Sequence, residues 1–179
     1  GLAFVGDEDS LEPLAPLLST DSPFAETAAK TVGLIGERTI GPTKRGEEVK
    51  VGKAAELLLD VFDAAESRQL RLVAGAGLAL MGAQPVQPLI ERMEEGPEER
   101  RPWLAAILGA IGKPATFPVL DARGKSHDEH LRNWYAVTAV MIGDARAMDL
   151  VEQLPKDQKP IPENVRASRE IYSDLQKLL

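Results

Sequence analysis

Apolar residues along this chain recur in helical register rather than in alternation. In "LRNWYAVTAVMIG" (Leu131–Gly143) apolar or small residues fall eight, seven, five, four and one positions before the closing glycine, a broad stripe at the helical period. The same layout closes "FAETAAKTVGLIG", "LRLVAGAGLALMG" and "RRPWLAAILGAIG". A second, shorter helical pattern follows the glycine each time, as "LEPLAPLL", "VQPLIERM", "FPVLDA" and "MDLVEQL". In the last of these Met148, Val151 and Leu154 stand at i, i+3 and i+6, and Ala147 and Leu150 widen the stripe.

The glycines themselves form a ruler: Gly6, Gly36, Gly52, Gly82, Gly112 and Gly143. Gly6 to Gly36, Gly52 to Gly82 and Gly82 to Gly112 are each 30 residues apart, Gly112 to Gly143 is 31, and only Gly36 to Gly52, at 16, is out of step. A fixed period of this length is the signature of stacked repeats, here pairs of helices. The glycine is expected to end the first helix of each pair, where a left-handed residue reverses the chain cheaply. A polar residue then caps the second helix, as Asp7 and Asp144 can, and Pro85 or Pro114 suits its first turn. Start signals for the first helices agree: Ser22-Pro23, Gly96-Pro97-Glu98-Glu99, and Ser126 to Glu129 in the S-x-x-E spacing of a capping box. Gly33, Gly75, Gly77 and Gly109 fall inside first helices, where each costs ~1 kcal/mol relative to alanine. Close helix-to-helix approach is the expected return.

Two stretches break the period. Residues 37–52, "ERTIGPTKRGEEVKVG", are an insert whose removal restores the spacing. With "RTI" and "VKV" flanking "GPTKRGEE", it predicts an extended loop or a small β-hairpin with Lys44 and Arg45 at a basic tip. That tip is either a contact point, as insertions on repeat proteins often are, or a tolerated solvent loop. At the other irregularity, "GLAFV" falls where a first helix would end, which predicts that the native chain continues upstream of Gly1. "NVRASREIYSDLQKLL" reads as a last, more polar helix that caps the stack.

Composition narrows the class. Of 179 residues 44% are hydrophobic and 27% charged, as in folded chains, and the 4% aromatic content leans helical. The net charge of −7 counts against a general nucleic-acid binder, which needs a basic face. No apolar run approaches the ~20 residues of a membrane span. With no cysteine, disulfides, thiolate metal sites and thiol catalysis fall away together, and the compartment stays open between a cytoplasmic and an exported form.

The pattern resembles a HEAT-repeat solenoid of the short type first described in phycobilisome lyases. Leu131, Arg132, Ala136, Ile142, Gly143, Asp144, Arg146, Ala147 and Met148 match that repeat place by place. Arg101, Ala105, Leu108, Gly109, Ile111 and Gly112 match it one period earlier, with Lys113 where Asp is usual. An arginine eleven positions before the glycine recurs as Arg71, Arg101 and Arg132. The resemblance covers nearly all the chain outside 37–52. It implies one all-α superhelical domain over 1–179, a fragment of a longer protein, that binds another protein as a scaffold or adaptor without catalysis or cofactor of its own. It also permits a subunit of a bilin or tetrapyrrole lyase, while DNA-binding relatives of this architecture fit poorly with the acidic balance.

Candidate contact residues follow. Trp103 and Trp134 both stand nine positions before their glycine, in a column continued by Ala106, Ala110, Val137 and Met141. This column is either an exposed apolar strip for a partner or packing between repeats. Arg101 and Arg132 suit an acidic partner group or, more blandly, caps and hydrogen bonds between repeats. His127 and His130 near a helix start lack a third ligand at metal-site spacing and read as a solvated terminus. No G-x-S-x-G, H-E-x-x-H or G-x-x-x-x-G-K-[ST] occurs, and the G-x-G of "GAGLALMG" lies within a helical pattern with no strand before it.

Overall fold

Linking one helix closely to the next can demand a backbone that L side chains rarely adopt. Gly82, Gly112 and Gly143 adopt it, at φ 58, 75 and 65°. The computed structural model describes residues 8–39 and 51–179, and among these it is all-helical, without a strand. The α-helices are α1 (Ala25–Thr39), α2 (Lys53–Ala64), α3 (Arg68–Leu80), α4 (Val86–Glu95), α5 (Arg101–Ile111), α6 (Lys113–Lys125), α7 (Glu129–Ile142), α8 (Ala145–Gln153) and α9 (Pro162–Gln176). The three positive-φ glycines lie at the α3–α4, α5–α6 and α7–α8 junctions, as the ruler predicts. At the last, Gly143 donates its N–H to Ala139 O (3.1 Å) and Asp144 caps α8 by accepting from Arg146 N (3.0 Å).

Gly36 departs from the ruler. It lies inside α1, which runs on to Thr39. Glu37-Arg38-Thr39 carries no breaker, so the helix runs through Gly36 and on to Thr39. The insert therefore begins in helix, not in a strand-like "RTI". Residues 40–50, with Lys44 and Arg45, lie outside the described residues, as do Gly6, Asp7 and "GLAFV". Gly52 opens α2 in extended backbone (φ −80°), donating to Gln84 Oε1 at 3.1 Å.

Other local expectations shift for identifiable reasons. "LEPLAPLL" forms 3-10 turns at Glu8–Leu11 and Ala15–Leu18 rather than an α-helix, since Pro13 and Pro16 remove backbone donors. The cap of α7 is Asp128, which accepts from His130 N (2.8 Å) and Leu131 N (3.2 Å). Ser126 instead accepts from Asp128 N (3.3 Å), so the S-x-x-E box is not formed. Pro97-Glu98-Glu99 opens a 3-10 turn at Glu98–Arg100 that leads into α5.

The chain divides into two compact units, Gly1–Pro85 with Leu178–Leu179, and Val86–Lys177. In the first, α3 packs on α1 and α2 around Val32, Ile35, Leu58, Phe62, Leu78 and Met81. A Cβ on Gly33 would lie 2.7 Å from Gly77 Cα, so α1 and α3 cross backbone to backbone there. In the second unit α5 packs on α7, α6 on α7, and α8 on α7. A Cβ on Gly109 would lie 2.5 Å from Met141 Cβ, the close approach its place inside a helix predicts. Helix α9 lies against both α5 and α7 and turns Ser168, Ile171 and Leu175 inward. No helix among the described residues is long and apolar enough to cross a membrane.

Candidate functional site

The two tryptophans are core residues. Trp103 on α5 is 9% exposed and Trp134 on α7 is 4%, with α9 packed against both helices. Of the two roles their column suggests, packing is the one realised, and the rings present no surface strip. His130 is exposed, its Nδ1 3.7 Å from Glu98 Oε1. No group of three metal-ligating side chains gathers among the described residues.

Two of the three recurring arginines serve their own turn. Arg71 donates to the Ala65 carbonyl, and Arg101 pairs with Glu98 at 3.5 Å. Nearby, the fully buried Tyr135 donates its hydroxyl to Glu94 Oε1 at 2.7 Å. Burial first, then the bond to Glu94 and its charge, push the Tyr135 pKa far up, against a smaller opposing pull from Arg101.

Arg132 behaves differently. Its guanidinium does not meet Arg101; it donates to Gln158 Oε1 (3.1 Å), and Arg123 donates to the same oxygen (3.3 Å). Arg123 is 7% exposed, and its Nε–H has no hydrogen-bond partner. Desolvation and then the Arg132 charge lower its pKa, though an arginine keeps its proton at neutral pH. The two cations line a pocket of about 160 Å³ together with Asn133, Gln158, Glu129 and Asp157. Asn133 is already committed, donating to Lys159 O (3.0 Å) and accepting from Ile161 N (3.4 Å).

Three elements build this pocket: the last turn of α6, the first turns of α7, and the 3-10 turn Lys156–Gln158. The α6 C-terminus, where carbonyl ends concentrate negative charge, lowers the cost of placing Arg123 there. Arg123 was missed from the sequence, yet a signal stood in it. One glycine-to-glycine period earlier the same place holds Met93, and one later Leu154. A cation in an otherwise apolar column breaks the pattern where such breaks mark sites.

A second feature lies on the α6 and α8 surface. Phe117 is 63% exposed, and the Arg146 guanidinium stands over its ring, 4.8 Å from the centroid. Helices α6 and α8 thus present an aromatic and a cation already stacked on one another, a geometry worth ~0.5–1 kcal/mol when exposed. Compared with known proteins, the chain matches no family model and no curated protein.

Proposed function

We propose that this chain is a protein-binding module of the HEAT-like kind, a stack of helix pairs that holds a partner along its second helices and carries out no chemistry itself. The observation that supports this is the Phe117–Arg146 pair. An aromatic ring more than half exposed on a helical surface is costly to hydrate, and aromatic and arginine side chains are enriched where proteins meet. Holding the two in contact before binding also limits the rotamer entropy that association removes. Trp103 and Trp134, the other anchors the sequence offers, are buried, so this reading does not draw on them.

The test places a photo-crosslinking phenylalanine analogue at position 117 and, as a control, at Phe24, which is similarly exposed (59%) in the other unit. In extract of the native cell, position 117 is expected to trap a discrete protein that excess unmodified chain competes away. Adding Arg146→Ala should abolish the adduct while the circular dichroism spectrum is unchanged. Equal labelling from positions 117 and 24, or an adduct indifferent to Arg146→Ala, overturns the proposal.

A further inference from the structure

We infer that the pocket between α6, α7 and the Lys156–Gln158 turn is a binding site for a single carboxylate group. Two guanidinium groups converge there on one neutral amide oxygen, at 3.1 and 3.3 Å. Neither has an ion-pair partner among the described residues, although a buried or half-buried cation ordinarily takes one. Arginine's planar fork matches a carboxylate in bidentate fashion. An arriving oxyanion would relieve the repulsion between Arg123 and Arg132 and supply the acceptor that Gln158 alone shares between them.

Charge and size set the class. Glu129 and Asp157 also line the pocket, so its summed charge is near zero before anything binds. With no net positive charge to offset it, the steeper desolvation cost of a dianion such as phosphate stands against its binding, whereas a monoanionic carboxylate gives up less hydration to reach the cations. The volume of about 160 Å³ suits one such group with its neighbouring carbons, not a nucleotide. The carboxylate could belong to a small free organic acid or to an acidic side chain of a bound peptide, and the chemistry at the arginines is the same. This site is separate from the Phe117–Arg146 surface and stands whether or not a protein docks there.

The readout is the Nε–Hε resonance of Arg123, a buried proton, identified by its disappearance in Arg123→Met. That variant restores the apolar type found at Met93 and is expected to fold. Acetate, a blocked Gly-Asp-Gly peptide and inorganic phosphate are titrated at pH 7.5 and constant ionic strength, with chloride as reference. Expected are saturable shifts with acetate or the peptide, at least tenfold weaker binding of phosphate, and at least a tenfold loss of carboxylate affinity in Arg132→Gln. Peptide binding well above that of acetate identifies a side chain as the source; equal binding identifies a free acid. In Arg123→Met, calorimetric titration should detect no carboxylate binding. Shifts that merely follow chloride, phosphate bound more tightly than acetate, or carboxylate affinity untouched in either variant overturns the assignment.

Discussion

Substituting Gly109 by alanine sets helix propensity against packing, and the structure decides which wins. Inside a helix alanine is favoured over glycine by ~1 kcal/mol. At Gly109, however, the new Cβ would lie 2.5 Å from Met141 Cβ, 3.1 Å from Met141 C and 3.2 Å from Met141 O. Carbon atoms prefer ~3.5–4.0 Å. None of the three neighbours is the movable end of a side chain, so α5 and α7 must part by about 1 Å at their crossing, and overpacking of this kind costs ~1–3 kcal/mol. Because α5 and α7 make one of the main contacts of their unit, the cost falls at the upper end of that range, leaving a net loss of about 1–2 kcal/mol after the ~1 kcal/mol propensity gain. Gly124, exposed in the last turn of α6, has nothing within 4 Å of a Cβ, so Gly124→Ala should gain a fraction of ~1 kcal/mol. Urea unfolding followed by tryptophan fluorescence reads both variants, since Trp103 and Trp134 lie in the same unit. With a urea slope of ~1–3 kcal/mol/M the two midpoints should separate by about 1 M, wild type between them. A Gly109→Ala midpoint at or above wild type would refute the close crossing.

Tyr135→Phe should lose ~1.5–3 kcal/mol at neutral pH, the worth of a hydrogen bond to a charged acceptor, in the same urea assay. The pKa of this hydroxyl is raised from 10.0 in the fold, so above pH ~10 the unfolded chain releases a proton that the folded one keeps. Wild-type stability is therefore intact below that pH and falls above it by up to ~1.4 kcal/mol per unit, and Tyr135→Phe should show a shallower fall; equal slopes would contradict the burial. Trp103→Ala should cost ~3–5 kcal/mol as a core truncation, and a change under ~0.5 kcal/mol would show instead a surface residue. Asp144→Ala should cost ~1 kcal/mol through loss of its bond to Arg146 N, measured by thermal unfolding, with Asp144→Asn retaining most of it.

Helix boundaries were legible where one residue type has a single cheap backbone. Gly82, Gly112 and Gly143 could be read as bends because left-handed backbone selects glycine almost alone. Gly36 misled for the complementary reason: glycine is also chosen for lack of a side chain, and a Cβ there would strike Met81 Sδ at 2.9 Å and Ala54 Cβ at 3.1 Å. Sequence does not distinguish a glycine selected for its φ from one selected for its size. The tryptophan column was ambiguous because an apolar stripe reports only that something covers it. That α9 lies against both α5 and α7 is a long-range packing choice with no local spelling in Trp103 or Trp134.

Arg123 and Arg132 illustrate a different limit. Arg132 stood out because it recurs with Arg71 and Arg101, yet recurrence points to shared structural duty, and Arg71 and Arg101 do serve their own turns. What sets Arg132 apart is its neighbour, and Arg123 drew no notice because a cation on a helix is ordinarily solvated. The informative comparison runs down the column, through Met93, Arg123 and Leu154, rather than along the helix. An apolar place filled once by a guanidinium forgoes burial worth ~1.5–3 kcal/mol and adds the cost of desolvating a charge. Phe117 carries the converse anomaly, a large ring left in solvent although the pattern around it is helical and partly buried. The regular glycine spacing makes both exceptions legible, because each period of the sequence suggests what its neighbours should hold. In such a chain the places that break their own column are where sequence has most to say about binding.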